Sequence, residues 1–267
     1  MNAEIESPFS LALTTAARLP GVRIDRERFL RGALKRNCSA EQLEIAIRDT
    51  PTAAGIPLEV LSRAADASIN YETAKVTGVS AVAGIPGGFA LIGTIPADSA
   101  QYFAHILRIA QKLSYLYSWP DLLSDEGEDL DDATRGLLTL FVGVMFGAQT
   151  ANAAVSKVSV MMSEQVIRRL PQQALTKGVL YPVVKTVAQH LGVQMTKQVF
   201  AKGVAKVIPV LGGVVSGAFT LGTFLPMAKR LKSHLHGLES ARPQEPEAES
   251  ESESESVIIA EGSGVLI

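Results

Sequence analysis

Three observations predict an all-α fold. Apolar residues recur at helical spacing along most of the chain, cap residues stand where those stretches begin, and no segment alternates apolar and polar residues as a half-buried strand would. Residues 25–37 read as a short amphipathic helix with Phe29, Leu30, Ala33 and Leu34 on one side. Ser39 with Gln42 three residues on forms a capping box, which opens a helix to about Asp49. Pro51 and Gly55 end that helix, and Pro57 suits the first turn of a long one running toward Ala83. The run Ile85-Pro86-Gly87-Gly88 then breaks the chain, and Pro96 can occupy the first turn of a helix from Ala97 to about Tyr117 that Trp119-Pro120 stops.

Beyond an acidic loop, Asp131 or Asp132 can cap a helix over residues 135–163, where acids also favour the N-terminal dipole. Further helices fit residues 165–170, 173–191 and 195–207, followed by a second Pro-Gly segment and a last helix ending near His236. The chain therefore divides into a helical domain over 1–239, an acidic Glu/Ser linker over 240–256 that cannot bury a core and reads as disordered, and an apolar C-terminal peptide over 257–267.

Apolar residues make up 47% of the 267 and charged ones 19%, oily for a soluble protein yet too polar for a multi-spanning transporter. Glu4 and Glu6 stand where an export signal would carry positive charge, so a cytoplasmic protein is expected. Cys38 is the single cysteine and excludes an intramolecular disulfide. The net charge of −2 hides a strong asymmetry. Residues 151–234 hold eleven Lys or Arg and one acid, Glu164, between acidic blocks at 121–132 and 239–261. Such segregation speaks about partners more than about fold.

Three stretches carry no charge: residues 76–97, 136–156 and 207–228. Their length would suit a bilayer span, but Pro-Gly punctuation in the first and last breaks the helix at apolar depth. Both hold Ile-Pro, a pair of glycines and then small and apolar residues up to a proline, Pro96 or Pro226, like a degenerate repeat. Small residues such as Gly213, Gly217 and Ala218 permit close backbone approach. Paired hairpin-like elements follow, packed inside a soluble bundle or presented to lipid.

At these residues the chain resembles the EcsC family of bacterial helical proteins. The likeness rests on Gly84-Ile85-Pro86-Gly87-Gly88, Thr94-Ile95-Pro96-Ala97-Asp98 and Tyr115-Leu116-Tyr117, and on Lys206-Val207-Ile208-Pro209-Val210-Leu211-Gly212-Gly213 with Ala228-Lys229-Arg230. It covers roughly residues 19–235. The resemblance implies a helical fold, in a family some of whose members are encoded beside ABC transporters. It supplies no catalytic residues. The acidic linker and the C-terminal peptide fall outside the family pattern.

The best polar constellation is Asp98, Tyr102 and His105 at i, i+4 and i+7 on one helix face, with Arg108 near. An Asp-His pair can move a proton or bind a metal, but two ligands seven apart are no metal signature, and neither HExxH nor GxSxG occurs. The bland reading, a helix start capped by Asp98 with a hydrogen-bonded tyrosine and histidine, is preferred. Gly84–Gly88 is not a phosphate loop, because no Lys-Ser/Thr follows it. The expectation is a non-enzymatic protein without metal or cofactor.

Basic residues spread mostly singly among apolar ones, without aromatic interleaving, argue against nucleic acid and for an anionic membrane surface. Gly84, Pro86, Gly87, Gly88, Pro209, Gly212, Gly213 and Gly217 would contact lipid, with Lys202, Lys206, Lys229 and Arg230 meeting its head groups. The alternative is an interaction or cargo protein. Its anchors Val257, Ile258, Ile259, Val265, Leu266 and Ile267 would dock into a partner or shell protein from an acidic tether.

Overall fold

Every regular element among the described residues is a helix, as the periodicity predicts. The computed structural model describes residues 8–83, 95–123, 130–163, 170–205 and 212–241, with side chains over 9–78, 102–123, 130–163, 170–194 and 221–241. In chain order the helices are α1 (Pro8–Ala17), α2 (Arg26–Leu34), α3 (Ala40–Arg48), α4 (Leu58–Ala83), α5 (Ile95–Leu116), α6 (Asp132–Met145), α7 (Gln149–Ser163), α8 (Gln172–Thr176), α9 (Tyr181–Ala205) and α10 (Gly212–Ser240).

Local chemistry sets several boundaries. Asp25 caps α2 by accepting from the Arg28 amide, and Ser39 and Gln42 form both arms of the capping box on α3. Asp131 accepts from the Ala133 and Thr134 amides and opens α6, so it, and not Asp132, is the cap. Pro96 lies in the first turn of α5, whereas Pro226 lies inside α10 on its exposed side.

Two helices form the centre. Residues 102–119 of α5 and the turn after it are buried on all sides except at His105 and Arg108, and α6 is buried from Ala133 to Met145 except at Arg135. A helix apolar all round belongs in a core. Around α5 pack α1, α2, α4 and α10, while α7, α8, α9 and α10 pack around α6. The long helix α10 thus bridges both groups, lying most extensively along α4. Its buried stripe is Phe224, Met227, Ala228, Leu231, Leu235 and Glu239.

The single helix expected over 135–163 is two helices. Gly147 adopts φ +82°, its amide bonds Val144 O, and the Ala148 amide bonds Gly143 O at 2.9 Å. These are the paired bonds of a Schellman motif, which only a residue at ease in the left-handed region closes cheaply. The helix expected over 173–191 is also broken. The Gly178 amide bonds Gln173 O at 2.7 Å, and a Cβ at Gly178 would lie 2.9 Å from both Gln173 O and Ala174 Cα. Conversely, α9 runs unbroken through 191–195, where two helices were expected. Helix α1 has no counterpart in the sequence reading. Its stripe of Phe9, Leu13 and Ala16 is buried in the core, but with Leu11 off the stripe and small residues around it, its periodicity is faint.

The turn after α5 passes through Ser118, which adopts φ +60° without being glycine. The Trp119 amide closes the turn on Ser114 O at 2.9 Å, and the Thr52 amide donates to Ser118 Oγ at 3.2 Å. These bonds offset the backbone cost, of order 1 kcal/mol. Thr52 Oγ1 also bonds Glu239, which ties the end of α10 to the turn before α4.

No helix among the described residues is long and apolar enough to cross a membrane. The uncharged run 136–156 shows why length misleads. Its first part lies in α6, whose 14 residues span about 21 Å against the roughly 30 Å of a hydrocarbon core.

Candidate functional site at the α4–α5 contact

The buried face of α4 carries Leu61, Ala65, Ile69, Glu72 and Val76 at helical spacing. Four of these are apolar. The fifth, Glu72, is a carboxylate with 0% exposure. An unpaired charge there would be strongly unfavourable, so the opposing helix must answer it. It does so with three bases spaced i, i+3 and i+7 on α5. His105 Nδ1 lies 3.1 Å from Glu72 Oε2, Arg108 Nε donates to both oxygens at 3.2 and 3.3 Å, and Lys112 Nζ donates to Oε1 at 2.6 Å. Burial pushes the Glu72 carboxyl up. Hydrogen bonds from His105 and Lys112 and the charges of Lys112 and Arg108 outweigh that and hold it down at about 2. Glu72 is therefore a carboxylate at any physiological pH.

The bases are positioned in turn. Arg108 Nη1 donates to Gly21 O, and Gln111 donates to Val22 O at 2.9 Å while accepting from the Ile24 amide at 3.0 Å. Tyr115 Oη donates to Ile24 O at 3.0 Å and lies 2.7 Å from Asp121 Oδ1. One face of α5, at 108, 111 and 115, thus fixes the backbone of residues 21–24. Lys112 Nζ sits 5.8 Å from the Phe29 ring centroid and 5.0 Å from that of Tyr71. Lys75 approaches the same Tyr71 ring at 4.6 Å. A hydrogen bond to Lys75, then its charge, lowers the Tyr71 phenol below its ordinary range. The site grades from a buried carboxylate, through the nearly buried Lys112, to Tyr71, which is 53% exposed.

The constellation read from sequence is divided. Tyr102 faces α10, where its hydroxyl lies 3.4 Å from Thr223 Oγ1 and its ring packs on Phe103 and Phe224. Burial pushes its phenol up. His105, three residues on, faces α4. The side chains of Asp98 and Lys202 lie outside the described side chains, and Gly212, Gly213 and Gly217 are described only as backbone of α10. Gly84, Pro86, Gly87, Gly88, Pro209 and Lys206 lie outside the described residues. So do the anchors Val257, Ile258, Ile259, Val265, Leu266 and Ile267. Lys229 and Arg230 are exposed on α10, and Arg230 Nη1 donates to Met145 O at 3.2 Å.

Sequence reasoning missed Glu72, Lys112, Tyr71 and Lys75. A signal existed: an acid in register with an apolar stripe asks for a cation on the facing helix. Among the described residues no group of three or more His, Cys, Asp or Glu is placed to hold a metal. What the arrangement offers is an excess of hydrogen-bond-donating cations. No protein-family model matches the chain, and no curated protein and no solved structure shows significant similarity to it.

Proposed function

We propose that this is a non-enzymatic helical protein that attaches peripherally to anionic membrane surfaces through its basic C-terminal half. The supporting observation is a pairing of exposed apolar and cationic side chains. Among the described side chains between residues 151 and 234 the exposed large aliphatics are Val160, Val179, Val193 and Leu221, and each has an exposed base on its own element or turn. Lys157 lies one turn before Val160 on α7, and Lys177 two residues before Val179. Lys185 shares a face of α9 with Val193, and Lys229 a face of α10 with Leu221.

Aliphatic groups entering the head-group boundary beside lysines on phosphates are the chemistry of interfacial binding. Each base near such a surface contributes about 1 kcal/mol, so four or five facing one way give reversible attachment. With a Debye length of about 10 Å at 0.1 M salt and about 3 Å at 1 M, that attraction fades as salt rises. Flotation with vesicles containing anionic phospholipid tests the reading. The full chain should float at low salt, sink at about 1 M salt, and ignore zwitterionic vesicles. Failure to float at low salt, with or without residues 241–267, refutes it.

A further inference from the structure

We propose that the rim of the α4–α5 contact, formed by Tyr71, Lys75, Arg108 and Lys112 over Glu72, binds a multivalent oxyanion of the phosphate-ester class. The argument begins with charge. A buried carboxylate needs one cation, and Glu72 has Arg108 and Lys112 both bonded to it and His105 besides. Lys75 adds a further positive charge at the Tyr71 ring. Among the described residues no second carboxylate lies within ion-pair distance of any of the four. The cluster therefore keeps an excess of two positive charges even with His105 neutral.

Geometry sets Lys75 at the surface beside the Tyr71 ring, with Arg108 partly exposed and Lys112 nearly buried behind them. Lys75 and Lys112 both hold their ammonium groups within 5.0 Å of one ring centroid, and that ring is half exposed. An ammonium has three N–H donors, and Lys112 gives one to Glu72 at 2.6 Å. Like charges gathered at one ring repel each other unless an anion joins them, so the cost of assembling the donors falls before a ligand arrives. A dianion balances the excess, whereas a monocarboxylate leaves half of it. Phosphate monoesters carry close to two charges near neutral pH and accept hydrogen bonds on three oxygens. This site is separate from the basic C-terminal half, so its failure and that of membrane attachment are distinguishable.

The test uses the full chain, with pyrophosphate and inorganic phosphate as soluble probes in calorimetric titration. Vesicles bearing phosphatidic acid are compared with vesicles of equal charge bearing phosphatidylglycerol, whose head group is a phosphodiester. Lys75→Gln and Tyr71→Leu alter exposed side chains only, and unchanged thermal melts verify that both fold. Saturable pyrophosphate binding that Lys75→Gln weakens roughly tenfold, the loss expected for one charge-assisted bond, supports the site. Lys229→Gln should leave that binding unchanged. A preference for phosphatidic acid that Lys75→Gln abolishes assigns the ester to a lipid head group, and soluble binding without that preference assigns it to a free phosphate ester. No saturable binding of either soluble probe at millimolar concentration together with no phosphatidic acid preference overturns the proposal, as does equal affinity in Lys75→Gln.

Discussion

Replacing Glu72 by glutamine removes one charge from the interior and leaves Arg108 and Lys112 without their shared counter-ion. The amide matches the carboxylate in shape and still offers an oxygen to accept one bond, so the loss is electrostatic and not a cavity. Its size follows from the structure. The carboxyl sits at about 2 against an ordinary value of 4.5. At about 1.4 kcal/mol per unit this difference amounts to about 3 kcal/mol of stability at neutral pH. Removal of one partner from other buried ion pairs costs roughly 3–5 kcal/mol, in agreement. The pH dependence gives an independent check. Because the folded value is depressed, the stabilisation is complete above the unfolded carboxyl's range and fades as pH falls from about 4.5 toward about 2. Urea unfolding followed by circular dichroism, for the native chain and Glu72→Gln between pH 7 and pH 3, measures both quantities. The expected result is a gap of about 3 kcal/mol that holds from pH 7 to pH 5.5 and narrows below pH 4. A gap under about 1 kcal/mol, or one that stays constant down to pH 3, would refute the claim that Glu72 is held as a buried carboxylate by these three bases.

Gly143→Ala tests the packing of α6 against α7 and α9. Its Cβ would lie 2.5 Å from Val187 Cγ1 and 2.7 Å from Ala151 Cβ. Overpacking of this kind destabilises by about 1–3 kcal/mol, and Val187→Ala in the same chain should recover part of the loss in thermal melts. His234, half-buried on α10, has no partner at Nε2 among the described residues, and burial lowers its imidazole below 6.5 despite a backbone bond to Asn152. A depressed histidine favours folding least where the unfolded chain takes up the proton first, so stability should decline as pH drops through 6.5. His234→Gln should flatten that decline between pH 7 and pH 5, and an unchanged slope counts against it. Asp131→Ala should lower stability by about 1 kcal/mol through loss of the α6 cap, with Asp131→Asn retaining most of it.

Those elements were legible whose signals are local. Ser39 and Gln42 lie three residues apart and bond each other, so the start of α3 needs no tertiary knowledge. Pro57 and the apolar register behind it likewise indicate α4 to its last described residue. Gly147 and Gly178 are different. Glycines occur throughout this chain, and nothing nearby says which of them will adopt a left-handed turn or let a carbonyl come close. The absence of charge over 136–156 strengthened the wrong reading, because an even apolar run looks continuous. Helix α1 was invisible for the opposite reason. It is held by burial against α5, and its own sequence of alanines and threonines carries little pattern.

The candidate site was half legible, and the missing half explains the error in the rest. His105 and Arg108 drew notice because they sit on one helix with Asp98 and Tyr102, and reading along one helix gathers residues that point to different neighbours. Tyr102 and His105, three positions apart, diverge to α10 and α4 because α5 is enclosed on every side. A central helix distributes its polar groups among all its neighbours, so spacing along it cannot assemble a site. Glu72 lies thirty-three residues before His105, beyond the reach of any local pattern. Its position in the stripe from Leu61 to Val76 nevertheless demands a cation. A buried stripe with one charged member points to bases at i, i+3 and i+7 on the facing helix, and 105, 108 and 112 answer that description. An acid inside an apolar stripe is thus a long-range signal carried by a single residue. It states that a partner exists and of which sign, and here the partners exceed the need by two.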